Sequence, residues 1–388
     1  MKSLSRTAYF DNAATTFPKP EEVYEFTDKF YREYGVNVGR GQHKLATKAS
    51  AIVSETRELL LALGHCPNKH IVFTHTATEA LNTILRGIKL SDGSNVYVSP
   101  FEHNAVMRTL HYISESVKIN VIKLAFDKQQ FTYDIEKINH QFADQHPHLL
   151  VVSHASNVSG IIAPIAKISA LSKRYGAINV IDMCQTMGLL DTDLGTTNID
   201  YAVFAGHKTL YAPIGVAGFV AVNDTNISPL LYGGTGIDSA SLTLPDTIPE
   251  RYEVGSQNIM AIAGLNAALK WIKSVSIDEI YKVEQYNRTR LVDVLKKFNN
   301  IKVISPQESE NSVGVVSCVF DGYSADNIGQ VLSEGDIAVR TGLHCAPDAH
   351  RFLGTFPSGT VRFSVSYFNE DNDFRQLDDA LAYIQINS

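Results

Sequence analysis

Along the chain, short apolar runs alternate with stretches whose apolar positions recur three and four residues apart. The first pattern is that of buried strands and the second of amphipathic helices. Ile71 to Thr74, Asn95 to Ser99, Asn120 to Leu124, Leu149 to Ser153, Ile178 to Ile181, Tyr201 to Phe204 and Val216 to Val222 read as strands. Between them, Val23, Phe26, Phe30 and Tyr34 predict a helix over Glu21 to Tyr34. A second runs from Leu45 to Leu63, with Gly64 as its stop. Thr76-Ala77-Thr78-Glu79 has the capping-box pattern and opens a helix through Ile88. Further helices are expected up to about Ser114, over Asp134 to Asp144 and over Pro164 to Tyr175. This alternation predicts an α/β fold with a mostly parallel sheet flanked by helices.

Two long helices follow Asn258, reaching about Lys273 and spanning Asp278 to Phe298. From Ile301 the pattern is mixed, with strands at Val313 to Phe320 and Thr360 to Val365 and helices at Ala325 to Glu334 and Asp371 to Ile384. A chain of 388 residues is long enough for two or three domains. The expected division is a large unit over 15–262 and a smaller α+β unit formed by 1–14 with 263–388.

Polar residues gather where the strands end: His103, Asn157, Asp182, Gln185, His207 and Lys208. In an open α/β sheet, ligands sit outside the carboxyl ends of the strands. A lysine amine there can form a Schiff base with pyridoxal phosphate (PLP). A carboxylate can keep the pyridinium nitrogen protonated, so that the ring accepts electrons. Lys208 and Asp182 suit those roles. The helix start at Ala77 and Thr78 offers free backbone N–H groups to a phosphate. Gly233-Gly234-Thr235-Gly236 lacks the spacing of a nucleotide-binding fingerprint. The extended piece Tyr9 to Thr16 and the glycine-interrupted loop Asn37 to His43 carry further hydrogen-bonding groups.

Composition narrows the field. A hydrophobic content of 44% with 19% charged residues is that of a globular protein. A formal net charge of −7 gives no reason to expect nucleic acid or an anionic membrane as partner. No apolar run reaches the length of a membrane span. Cys66, Cys184, Cys318 and Cys345 show no CxxC spacing, which suits reduced thiols and a cytoplasmic setting. Cys318 lies in a strand pattern and reads as core. His344-Cys345 has no partner at zinc-ligand spacing, so no metal is expected.

Taken together, these stretches resemble the class V aminotransferases among the fold-type I PLP enzymes, and most of all the cysteine desulfurases. The likeness runs from Asp11-Asn12-Ala13-Ala14-Thr15-Thr16 to Arg362. Arg340-Thr341-Gly342-Leu343-His344-Cys345-Ala346 is similar to the segment of the type II (SUF-like) group and of its selenocysteine lyase relatives. The resemblance implies that Lys208 carries PLP, with Asp182 on the pyridine nitrogen and His103 stacked on the ring. Gln185 and Asn157 would contact the ring oxygen side, while Ala77, Thr78 and His207 would hold phosphate. Ser256 would reach the phosphate of a neighbouring subunit in a homodimer with shared sites. Asn12, Ala14, His43, Arg340 and Arg362 would line the substrate pocket, with Arg362 on the substrate carboxylate. L-cysteine would yield L-alanine, and the sulfur would rest as a persulfide on Cys345 before passing to an acceptor protein.

Some positions depart from that family pattern. Ala205 stands where a phosphate-binding serine is usual, Met183-Cys184 replaces small residues, Gly39 stands in place of a histidine, and Asn369-Glu370 replaces the frequent Asn-Thr. Selenocysteine lyase, another carbon–sulfur lyase and an aminotransferase share the same scaffold, and L-selenocysteine is an alternative substrate. A non-catalytic scaffold in a sulfur-transfer complex is the remaining alternative, with Ala205 as the feature in its favour.

Overall fold

The computed structural model describes residues 7–38, 43–221, 227–237, 240–306 and 310–386. Gly39 and Val222 lie outside them. The first part of the chain runs β1 (Ala8–Tyr9), α1 (Glu21–Tyr34), α2 (Lys44–Leu63), β2 (His70–Thr74), α3 (Ala77–Gly87), β3 (Asn95–Val98) and α4 (Asn104–Ser114). Next come β4 (Asn120–Lys123), β5 (Phe126–Asp127), β6 (Thr132–Tyr133), α5 (Ile135–Asp144), β7 (Leu149–Ser153), α6 (Ile165–Lys173), β8 (Ile178–Asp182), β9 (Tyr201–Ala205) and β10 (Ala217–Ala221). The remainder is α7 (Ile259–Val275), α8 (Ile277–Lys296), β11 (Ile301–Val303), β12 (Val315–Phe320), α9 (Ala325–Glu334), β13 (Ile337–Ala338), β14 (Arg340–Gly342), α10 (Pro347–Leu353), β15 (Thr360–Ser364) and α11 (Asp371–Ile386).

Seven strands form the main sheet in the order β2-β10-β9-β8-β7-β3-β4. All run parallel except β10, which is antiparallel to both neighbours. Strands β7, β9 and β10 are buried at every position, which explains their unbroken apolar runs: helices cover both faces. One face packs against α1, α2 and α7 through Phe30, Leu60, Leu265 and Ile272. The other packs against α3 and α4 through Leu81, Ile84, Val106 and Leu110. Helix α3 starts as predicted, with Thr76 Oγ1 accepting from Glu79 N–H at 3.1 Å. The Glu79 carboxylate returns to His75 N–H at 3.0 Å, one residue earlier than in the standard box.

A second sheet, β11-β12-β15-β14, is antiparallel throughout and has its own core of Leu291, Val316, Phe363 and Leu377. The N-terminal strand belongs with it: β1 pairs parallel with β13, Ala8 opposite Ile337. Asn12 pins the connection, donating its amide to Ser364 O at 2.9 Å and accepting from Phe17 N–H at 3.2 Å.

From there the chain crosses to the main sheet and clasps the loop after β9. The His207 carbonyl accepts from Thr16 N–H at 3.1 Å, Thr15 Oγ1 at 3.0 Å and Lys19 Nζ at 2.7 Å. Thr16 Oγ1 donates to Lys208 O at 3.0 Å and accepts from Lys19 Nζ at 2.7 Å. Thr16 is buried, so loss of its hydroxyl removes one of two donors to the Lys208 carbonyl, which keeps Tyr211 N–H at 2.9 Å, and takes an acceptor from the Lys19 amine. Thr16→Val is expected to cost about 1–3 kcal/mol, read from the urea midpoint. Thr27→Val is the control. Its hydroxyl donates only to Val23 O within α1, so the change should cost well under about 1 kcal/mol. Equal losses in the two variants would show that the clasp adds nothing.

Candidate active site

The main sheet delivers its polar residues at one edge. Register places Ser153 beside Asp182 and Asp182 beside Val203, so the loops after β7, β8 and β9 leave the sheet together. They enclose a cavity of about 320 Å³ whose lining includes Asp182, Gln185, His207 and Lys208. From above, β14 and β15 add Arg340 and Arg362. Asp182 is buried, and its Oδ1 accepts from Cys184 N–H at 2.9 Å. Gln185 donates to Ala13 O at 3.0 Å, tying the N-terminal segment to the cavity floor.

His103 caps α4. Its Nδ1 accepts from Ala105 N–H at 3.0 Å, which leaves Nε2 as the protonated nitrogen of the neutral ring. Burial holds its pKa below the ordinary histidine range, against the opposing pull of Asp182. Beneath it lies Glu102, 1% exposed. The Glu102 carboxyl takes Ser99 Oγ at 2.6 Å, Ser153 N–H at 2.7 Å and Ser153 Oγ at 2.8 Å. It therefore joins the ends of β3 and β7 under the cavity, and burial pushes its pKa up to about 7.

Arg340 and Arg362 face each other directly across β14 and β15. Like charges opposed in this way repel, and each guanidinium has its own partner. Arg362, 1% exposed, donates to Asp11 Oδ1 at 2.7 Å and to Asn157 O at 3.1 Å, while its Nε has no partner among the described residues. Arg340 Nη2 donates to Cys345 Sγ at 3.3 Å. Cys345 is partly exposed, and it and His344 both have left-handed backbone, with φ of 57° and 47°. Such conformations cost non-glycine residues about 1–3 kcal/mol each. The loop is anchored by Asn104 N–H donating to Cys345 O at 2.7 Å and Asn157 Nδ2 donating to His344 O at 2.8 Å. His344 lines the cavity but its ring is uncharged at neutral pH, since burial and the Arg362 charge push its pKa to about 2.

The expected cofactor can be tested against this donor set. The start of α3 presents Ala77 and Thr78 to the cavity, and His207 Nδ1 is buried there without a partner among the described residues. An anion at that end would find donors, a carboxylate stands at Asp182 and an amine at Lys208. These residues fit pyridoxal phosphate. Ala205 contributes only a methyl group to the lining. Cys184 also lines the cavity, and burial raises its thiol well above the ordinary range, which makes it a poor nucleophile.

Ala14, Ala77, Thr78, His103, Asn157, Asp182, Gln185, His207, Lys208, Arg340 and Arg362 thus line one cavity. Four of the expected residues do not: Cys345 lines a separate opening between α3 and α4, and the other three lie elsewhere. Asn12 is buried in the clamp on Ser364. His43 is the exposed cap of α2, its Nδ1 accepting from Ala46 N–H at 3.2 Å. Ser256 borders a separate depression with Phe73, Glu253 and Asn258. Sequence reasoning missed Asp11, Glu102 and His344. The signals available were that Asp11 ends an extended piece and that Glu102 precedes the strand-end histidine.

Glu102 generates a test. Its folded pKa lies above the ordinary 4.5, so the folded state binds the extra proton between about 4.5 and about 7. Its contribution is present at low pH and is lost as pH rises through that window. The size is about 3 kcal/mol at about 1.4 kcal/mol per unit. Glu102→Gln is expected to flatten that part of the stability–pH curve, measured by urea unfolding from pH 5 to pH 8. An unchanged slope would show that Glu102 is ionised throughout.

The aminotransferase class-V family model matches residues 8–377. A probable cysteine desulfurase of Pyrococcus abyssi is 31% identical over 372 residues, covering 93% of this chain and 90% of its own. A probable cysteine desulfurase of Methanothermobacter thermautotrophicus is 27% identical, with 98% and 96% covered. Among solved structures, the apo cysteine desulfurase of Thermococcus onnurineus superposes with a TM-score of 0.92 at 26% identity, covering 98% of this chain and 95% of the other. The S-sulfonic acid form of the Escherichia coli cysteine desulfurase CsdA gives 0.87 at 27%, with 97% and 94% covered. With nearly its whole length matched and its catalytic-type residues gathered at one sheet edge, the chain belongs to the aminotransferase class-V family.

Proposed function

We propose that the protein is a PLP-dependent cysteine desulfurase that converts L-cysteine to L-alanine and holds the sulfur as a persulfide on Cys345. The observation that carries this reading is the placement of Cys345: a partly exposed thiol under the Arg340 guanidinium, its carbonyl anchored to the helix that His103 caps. When bound, PLP supplies the electron sink that makes the substrate Cα proton and carbon–sulfur bond labile. Lys208 stands at the cavity edge to take and return that proton. Arg362 offers the substrate carboxylate a fork of donors, with Asp11 holding the guanidinium in place until substrate arrives. Cys345 Sγ attacks the substrate sulfur, forming the S–S bond as the Cβ–S bond breaks and carbon keeps the electron pair. Arg340 faces the sulfur through this exchange.

In this reading residues 15–262 form the cofactor-binding unit and 1–14 with 263–388 the smaller one. The enzyme acts as a homodimer. Support comes from Ser256, His43 and the exposed apolar residues Leu231, Tyr232, Ile237 and Leu242, since a partner subunit would bury such a surface and bring Ser256 to a cavity it does not reach in its own chain. L-selenocysteine would fit the same pocket. A cytoplasmic setting agrees with four free cysteines and with the lack, among the described residues, of any helix long and apolar enough to cross a membrane.

Cys345→Ser is expected to lower sulfide release from L-cysteine with dithiothreitol by at least about 100-fold while keeping the PLP absorption band. A variant that kept wild-type turnover would sink the persulfide route and leave a direct lyase or an aminotransferase. Arg362→Lys keeps the charge and loses the fork, so KM for L-cysteine should rise by about tenfold or more, about 1.4 kcal/mol, with a smaller change in kcat. An unchanged KM would place the substrate carboxylate elsewhere.

A further inference from the structure

Behind the cofactor cavity lies a second opening of about 410 Å³ between α3 and α4. Thr78, His103 and Ala105 border both spaces, and Cys345 belongs to the lining of the second. One side is built by Thr78, Asn82 and Arg86 of α3, four residues apart and so on one helix face. The other is built by Ala105, Arg108 and Tyr112 of α4. From the Thr78 end to Arg86 the groove rises eight residues of helix, about 12 Å.

Its charge is one-sided. No Asp or Glu lines it. Arg86 and Arg108 are exposed, and neither has an ion pair among the described residues. The Arg86 guanidinium lies 4.9 Å from the centroid of the Tyr112 ring, which orders it without neutralising it. In a chain of net charge −7, this is not a sample of a generally basic surface. A cationic groove that opens on the sulfur-bearing residue favours an anionic occupant with a thiol at one end.

We infer that the groove seats an acidic segment of the protein that accepts sulfur from Cys345, with carboxylates three or four residues from the receiving cysteine. The spacing follows from the geometry: extended chain advances about 3.3 Å per residue, so three or four residues bridge the distance from the Cys345 end to Arg86. A small acidic thiol seated at Cys345 would leave Arg86 out of reach. This inference rests on the persulfide reading above. The transfer is a thiol–disulfide type exchange. The acceptor thiolate attacks the outer sulfur, a new S–S bond forms on the acceptor, the bond to Cys345 Sγ breaks, and Cys345 leaves as thiolate. No oxidant is consumed.

The test begins with PLP-loaded enzyme treated with L-cysteine and freed of excess. Persulfide on Cys345 is counted by alkylation and intact mass, with Cys345→Ser as blank. Ten-residue peptides then compete for the sulfur, each with one cysteine and with Asp, Asn or Lys at the third and fourth positions after it. The Asp peptide is expected to take sulfur about tenfold faster than the Asn peptide, with the Lys peptide slowest, and salt at about 0.5 M should compress the difference. The double variant Arg86→Glu, Arg108→Glu should reverse the order while loading persulfide normally. Equal rates for the three peptides would overturn the inference. So would mercaptosuccinate showing the same dependence on the two arginines, which would assign the groove to small acids. Absence of persulfide before any acceptor is added would instead overturn the desulfurase reading, and this inference with it.

Discussion

The site depends on one half-buried ion pair, Arg362 with Asp11, made beside a register that sets Arg362 against Arg340. Two guanidiniums directly opposed on neighbouring strands are unfavourable unless each is drawn to a separate partner. Asp11 holds one and the Cys345 sulfur faces the other. The same bond fastens the N-terminal segment to the second sheet, and that segment in turn holds the carbonyls of His207 and Lys208. Removal of Asp11 would leave a buried cation unpaired and loosen three elements together. The geometry of the reacting groups is thus an outcome of charge balance as much as of packing.

Strain has a place in that balance. The consecutive left-handed residues His344 and Cys345 expose a thiol that an ordinary turn would direct elsewhere. Two hydrogen bonds, from Asn104 N–H at the start of α4 and Asn157 Nδ2 in the loop after β7, hold the loop in this shape. Asn104 follows the cavity-lining His103 and Asn157 lines the cavity itself, so the loop and the cavity are positioned by shared anchors.

Much of this was legible in the sequence because burial leaves a local trace. Unbroken apolar runs marked β7 and β9, helical spacing marked α1 and α9 at their observed bounds, and polar residues at strand ends marked the cavity. What was illegible is what depends on pairing between distant segments. Nothing local in Ala217 to Ala221 tells that β10 runs antiparallel between β2 and β9. The three-residue strands β11 and β14 and the two-residue β1 and β13 are too short for periodicity to register. Glu102 reads as a surface carboxylate until β7 supplies Ser153 as its donor. His43 and Ser256 were placed by resemblance, and within one chain neither reaches the cavity.

The union of the first strand with the last third of the chain bears on how the protein comes into being. Asn12 and Ser364 are 352 residues apart, so these contacts can form only after residue 364 has been made. The main sheet can fold earlier, since its strands all lie before residue 222. Until the carboxyl-terminal sheet arrives, the clasp on the Lys208 loop lacks the Asn12–Ser364 and Asp11–Arg362 bonds that fasten it from the other side, and long-range closures of this kind are slow. Nascent chains would therefore pass through a stage with a formed main sheet and no second sheet over its cavity. Cys345 is made well after the main sheet, and its loop is held by Asn104 and Asn157 only once the second sheet has docked.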